Sequence, residues 1–201
     1  MNFEKIIKNL SALGFPSKSF ETKAEAADYL INSINGVSVG IGGSVSVREL
    51  DIYDRLCQNN NVFWHWFIPS NKSTEDMLKL ASDTDVYISS VNAIAETGEI
   101  VNIDGTCNRI ASISYGHKKV YLVIGKNKIT PDLESAIHRA RNVAAPLNAR
   151  RLGKNTPCAV GELKCYDCRS SDKICRNLSI IWKAPEACEY EIILINEDLG
   201  Y

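Results

Sequence analysis

The chain has 201 residues, 45% hydrophobic and 23% charged, with a formal net charge of -1 and a pI near 6.3. This is the composition of a globular protein able to bury a sizeable core, as one domain or one domain with a small appendage. Balanced charge leaves no electrostatic footprint for nucleic acid or an anionic membrane surface, and no run approaches the length of a membrane span.

The N-terminal MNFEKIIKNLSALGF is interrupted by Glu4, Lys5, Lys8 and Asn9, so it does not read as a signal peptide. A cytoplasmic location is expected. There the seven cysteines, Cys57, Cys107, Cys158, Cys165, Cys168, Cys175 and Cys188, are expected as reduced thiols or metal ligands rather than disulfides.

Phe3, Ile6, Ile7, Leu10 and Leu13 recur at helical spacing until Gly14 and Pro16 end the run. Thr22-x-x-Glu25 reads as a capping box opening a second helix through Ala26, Tyr29, Leu30 and Ile34, closed at Gly36. Residues 1–36 are expected as a helical lead-in to an α/β core over 37–149.

Residues 37–41 (VSVGI) have the composition of a buried strand, and Gly42, Gly43 and Ser44 follow directly before a helical pattern over 45–56. A strand, a glycine turn and a helix can present backbone N–H groups to an anion. A tight turn that simply needs glycine is the alternative. The spacing is neither a Walker loop nor a full dinucleotide fingerprint, and no nicotinamide or flavin is expected. Residues 62–68 (VFWHWFI) read as an aromatic strand in which His65 has no evident chemical partner. Ser73 caps a helix carrying Met77, Leu78 and Leu80, and residues 86–89 form the next strand.

Residues 85–129 join two apolar runs, 86–89 and 120–125, by a connection crowded with small and polar residues. Residues 93–103, turning at Thr97-Gly98, read as a β-hairpin. Asp104-Gly105 is a turn signal, with Thr106 a cap for a short helix. A further helix opened by Pro131 is expected to stop near Pro146. Strands at 179–182 and 191–195 are expected to complete the core within 178–201. The alternation predicts an α/β fold with a mainly parallel sheet and helices on both faces.

Residues 150–177 are less apolar and carry Cys158, Cys165, Cys168 and Cys175 in the spacing C-x6-C-x2-C-x6-C. Four soft thiolates in a short segment suit zinc or an iron–sulfur cluster; a redox Cys-x-x-Cys is the alternative. A small cysteine-rich knuckle is expected here, with the choice of metal open.

The runs SVNAIAETGEIVNIDGTCNRIAS, GHKKVYLVIGKNKIT and ARNVAAPLNARRLGKNTPCA, with the terminal EDLGY, resemble the lactate-utilisation (LUD) domain family, in particular small stand-alone members with late cysteines. The resemblance implies the fold of the sugar-phosphate isomerase, CoA-transferase and formyltetrahydrofolate cyclo-ligase group, with ligands at the strand ends. It also implies a link to bacterial lactate oxidation beside iron–sulfur partner proteins. Asn92, Glu96, Gly98, Asn102, Asp104, Gly105, Asn108 and Arg109 match its motif, as do Gly125, Asn127, Lys128 and the Gly40-x-Gly42-Gly43-Ser44 turn.

Together these readings predict a site for a small anionic metabolite, a carboxylate or phosphate, in a homo-oligomer. Gly42, Gly43 and Ser44 would cradle the anion. Asn92, Asn102, Asn108, Arg109, Asn127 and Lys128 would supply polar contacts and counter-charge, and Glu96 or Asp104 acid–base or nucleophilic chemistry. For Glu96 the resemblance supplies only a comparable region: in related transferases a glutamate after a central strand is the nucleophile, and the full transferase motif is missing here. The other expectation is a non-catalytic accessory or electron-transfer component using the four cysteines.

Overall fold

In the computed structural model, which describes residues 1–201, ten strands divide between two sheets. In chain order they are β1 (Ser17–Phe20), β2 (Ser38–Ile41), β3 (Asn61–Trp64), β4 (Val86–Ser90), β5 (Ala93–Ala95), β6 (Ile100–Asp104), β7 (Lys119–Gly125), β8 (Ile129–Thr130), β9 (Asn177–Ile181) and β10 (Glu189–Ile195). Six form a sheet in the order β1-β10-β7-β4-β2-β3, parallel throughout. Its longest strands, β7 and β10, send Val120, Leu122, Ile192 and Leu194 to one face and Tyr121, Val123, Ile193 and Ile195 to the other, all buried. A strand covered on both sides needs such a continuous apolar run.

Nine helices connect the strands: α1 (Glu4–Ala12), α2 (Lys23–Ser33), α3 (Val45–Arg48), α4 (Tyr53–Cys57), α5 (Thr74–Ser82), α6 (Asn108–Ser114), α7 (Leu133–Arg139), α8 (Ala145–Arg151) and α9 (Pro157–Val160). One face of the sheet is covered by α2, α3 and α4 through Ala26, Leu30, Val47 and Leu56. The other is covered by α1 and α6, and by Ile94, Ile100 and Ile181 of the second sheet. That sheet, ordered β8-β5-β6-β9, alternates as a half-buried strand pair should: Ala93, Ala95 and Val101 point outward and pack under Ala136 and Ala140. The chain is thus α/β, with an all-parallel six-stranded sheet and a small mixed one.

The β5–β6 hairpin turns at Thr97-Gly98 as its sequence predicts, with Gly98 at φ 111. Elsewhere the boundaries differ. Residues 1–36 also supply β1, an edge strand pairing with β10. The helix expected over 45–56 breaks into α3 and α4, with Asp51 between them at φ 52. The strand expected over 62–68 ends at Trp64. The helix expected to stop near Pro146 runs on: α7 starts behind the Asp132 cap and continues through a π-helical turn, Ala140–Ala144, into α8. Where the ladder changes register at a π turn, a proline entering the next segment lacks only a donor already out of sequence. The two last strands part company, β9 pairing antiparallel with β6 and β10 entering the main sheet.

His117 gives this fold a pH dependence. Its ring is 3% exposed and stacks on Tyr87 at 4.8 Å. Nδ1 donates to Thr84 O at 2.7 Å, while Nε2 is buried without a partner. Burial therefore holds the imidazole below its ordinary value of 6.5, because the charged form would be desolvated. A depressed folded pKa contributes stability above the unfolded value and loses it as pH falls through the folded one. Urea midpoints are expected to decline below pH 6.5 more steeply in the wild type than in His117→Gln; parallel declines would contradict this.

Candidate functional site

The chain leaves β2 toward β3 on one side and leaves β4 toward β7 on the other. The gap between the carboxyl ends of β2 and β4 is thus a topological switch point, where open parallel sheets accept ligands. A cleft of about 860 Å³ opens there.

The β2 exit supplies Gly43 and Ser44. A Cβ on Gly43 would stand 3.1 Å from the His65 ring, and Ser44 Oγ accepts from Val47 N at 3.2 Å as the cap of α3. Gly42 lies outside the cleft: a Cβ there would come within 2.8 Å of both Ser89 Oγ and Tyr87 Oη, so close packing explains this glycine.

The β4 exit and the end of β6 form the opposite wall. Asn92 Oδ1 accepts from Ile103 N at 2.7 Å and Arg109 Nη2 at 3.0 Å. Arg109 also donates to Ile103 O at 2.8 Å and Ser90 O at 3.4 Å. Asp104 accepts from the backbone N–H groups of Thr106, Cys107 and Ile110 at 3.2, 3.1 and 3.3 Å, with Arg109 Nε 3.7 Å away. Its carboxylate therefore holds the turn into α6, which Cys107 enters at φ 67. Asn108 lines the cleft beside it.

Lys128 forms the floor. It is 4% exposed, and Nζ donates to Ser46 Oγ at 2.7 Å, Ser90 Oγ at 2.9 Å and Val91 O at 3.1 Å. It takes part in no ion pair. Burial pushes this amine well below the usual lysine range; Arg139 and Arg109 add to the shift and Glu49 opposes it.

The remaining predicted residues stand elsewhere. Glu96 accepts from Lys5 Nζ at 2.6 Å, and its backbone oxygen accepts from Asn9 Nδ2 at 2.7 Å; the hairpin turns it toward α1. Asn102, 1% exposed, is enclosed on the side of β6 that faces the main sheet. Asn127 holds the terminal segment, donating to Gly200 O at 3.3 Å and accepting from Leu199 N at 3.1 Å.

Several lining residues escape a reading by sequence. Ser46 and Ser90 carry no signal of their own. Trp66 meets Arg48 and Arg151, whose guanidinium carbons are 5.8 and 5.3 Å from its ring centroid. Arg151 donates to Tyr201 Oη at 2.6 Å. Burial, then Arg151, lowers the His65 pKa. The signals available were the aromatic run around His65 and the terminal EDLGY.

Cys158, Cys165, Cys168 and Cys175 line a second cavity of about 270 Å³, and Lys173, Ile174 and Arg176 border both spaces. Thr156 Oγ1 is 3.3 Å from Cys158 Sγ, and Arg141 Nη2 donates to Cys165 Sγ at 3.5 Å. Burial pushes the Cys175 thiol up. In this conformation no three His, Cys, Asp or Glu side chains converge as a metal-ligand group. No helix is long and apolar enough to cross a membrane.

A DUF162 family protein from Deinococcus radiodurans is similar in structure, with a TM-score of 0.51 at 11% identity, covering 97% of this chain and 99% of that one. The eIF2B beta subunit from Chaetomium thermophilum overlaps 66% of this chain and 44% of its own, with a TM-score of 0.33 at 14% identity. No curated protein matches. The LUD domain model matches residues 3–195, nearly the whole chain, and on that match the protein belongs to the LUD domain family.

Proposed function

We propose that the cleft binds a small anionic metabolite through a carboxylate or phosphate group. The observation that carries this is the charge of the cleft walls, where Arg109, Arg151, Lys154, Lys173 and Arg176 outnumber Asp104 and Asp172. A cleft lined by one sign of charge concentrates ligands of the other. Asp104 lines the cleft with its carboxylate spent on the turn into α6, whereas Glu96 has no part in the cleft. Within lactate oxidation the chain would act beside iron–sulfur partner proteins, as the family implies.

Thermal unfolding with phosphate, lactate, pyruvate, sugar phosphates and CoA thioesters tests the reading. A ligand at a hundred times its Kd stabilises by about 2.7 kcal/mol, so at least one anion is expected to raise the midpoint by several degrees. Arg151→Ala is expected to weaken that response. A midpoint indifferent to every anion sinks the proposal.

A second reading rests on the four cysteines lining one cavity. They would hold zinc or an iron–sulfur cluster after modest loop closure, since thiolates suit both. Anaerobically purified protein is expected to carry near-stoichiometric zinc or iron with sulfide, and Cys168→Ser to lose it. Metal-free protein from media rich in both metals would exclude this.

A further inference from the structure

The partners of Lys128 also define a reaction. As an ammonium, Nζ donates to all three neighbours; as a neutral amine it has two hydrogens and one lone pair. Val91 O can only accept. Ser46 Oγ spends its own proton on Leu199 O at 3.0 Å, so it too accepts from Lys128. Ser90 Oγ, 2.9 Å from Nζ, has no other acceptor for its proton, and its hydroxyl is the one free to turn toward the lone pair. Each of the amine's three positions is then matched.

We propose that Ser90 and Lys128 form a nucleophile–base pair for acyl transfer from an ester or thioester that carries an anionic group; the anionic part of this assignment rests on the cleft reading above. Ser90 is the last residue of β4, at the switch point, and both side chains belong to residues lining the cleft. Serine paired with lysine is a recurrent alternative to serine paired with histidine. Arg109 Nη1 donates to the backbone oxygen of Ser90 at 3.4 Å, so a positive charge stands next to the residue that carries the nucleophile. Three partners around Nζ leave no approach for a carbonyl carbon, so the serine oxygen, not the amine, is the attacking atom.

The step balances without an oxidant or added cofactor. Ser90 Oγ bonds to the acyl carbon and its proton passes to Lys128 Nζ. The bond from the carbonyl to the alcohol or thiol breaks, and Lys128 returns the proton to the leaving oxygen or sulfur. Water then attacks the acyl carbon and gives a proton to Lys128; the bond from that carbon to Ser90 Oγ breaks, Lys128 returns the proton to Oγ, and the acid leaves.

An alkyl fluorophosphonate tests the pair on the full-length protein. Ser90 Oγ would attack phosphorus with loss of fluoride, and peptide mapping by mass spectrometry locates the adduct. One adduct at Ser90 is expected, absent from Ser90→Ala and formed about 10²–10⁴-fold more slowly in Lys128→Met, the usual contribution of a general base. Lys128→Gln, which keeps donors but no base, is the second variant should the methionine form fail to fold; an unchanged rate in a folded variant overturns the role of Lys128. Wild-type protein without a Ser90 adduct overturns the pair. If its melting midpoint still responds to phosphate, the cleft reading survives that failure, whereas an adduct without a phosphate response sustains the pair and removes the anionic substrate.

Discussion

Gly40→Ala is expected to destabilise the protein by about 3 kcal/mol or more, at or beyond the upper end of ordinary overpacking. Gly40 lies in β2, and α5 packs across β2 and β3. A Cβ at Gly40 would stand 2.2 Å from Ala81 O, 2.8 Å from Thr84 Oγ1 and 3.0 Å from Ala81 C. Two of these atoms are backbone at the end of α5, so no side chain can swing aside. Thr84 is itself committed, donating to Val86 O at 3.0 Å and lying 3.2 Å from His117 Nδ1. Relief requires sliding the helix off the sheet. Gly153→Ala is the control, since a Cβ there meets nothing within 4 Å and only the φ of 62 is strained, for about 1–2 kcal/mol. Urea unfolding measures both. A Gly40→Ala midpoint equal to that of Gly153→Ala would mean that α5 does not press on β2.

Arg109→Ala is expected to lower stability and anion affinity together. The guanidinium joins the ends of β4 and β6 through Ser90 O, Asn92 Oδ1 and Ile103 O. Hydrogen bonds from a charged donor contribute about 1.5–3 kcal/mol each, so losing the fork should cost about 3 kcal/mol. Arg109→Lys should recover little, since an ammonium cannot span three acceptors in a plane. In the cleft, loss of one cation should weaken binding of a stabilising anion at least tenfold, or about 1.4 kcal/mol. Stability comes from chemical denaturation and affinity from calorimetric titration. Loss of stability with unchanged affinity would make Arg109 a purely structural tie.

The sequence carried the centre of this fold better than its margins. Strands β4, β7 and β10 are apolar because they are buried, and burial writes itself into composition. Strand β1, SKSF, has two exposed residues and two half-buried ones, so an edge strand left no pattern. The break at Asp51 depends on one left-handed residue, which aspartate tolerates but does not announce. The polar motif from Asn92 to Arg109 was legible as a unit, yet its members divide between cleft wall, turn and the buried side of β6. Which way Glu96 faces depends on a hairpin turned against α1, a contact 91 residues apart. Ser46 and Ser90 became visible only when α3 and the end of β4 met around Lys128.

Strand β10 lies between β1 and β7, and this has a consequence for biosynthesis. The ribosome completes β1 early and β7 midway, but the strand that joins them comes last. At about 5–20 residues per second, the β7 edge would wait several seconds without a neighbour, an open template for pairing with another chain. The half-made protein is therefore expected to need shielding by a chaperone. The sheet should close only when residues 189–195 have emerged, after its other five strands have been made.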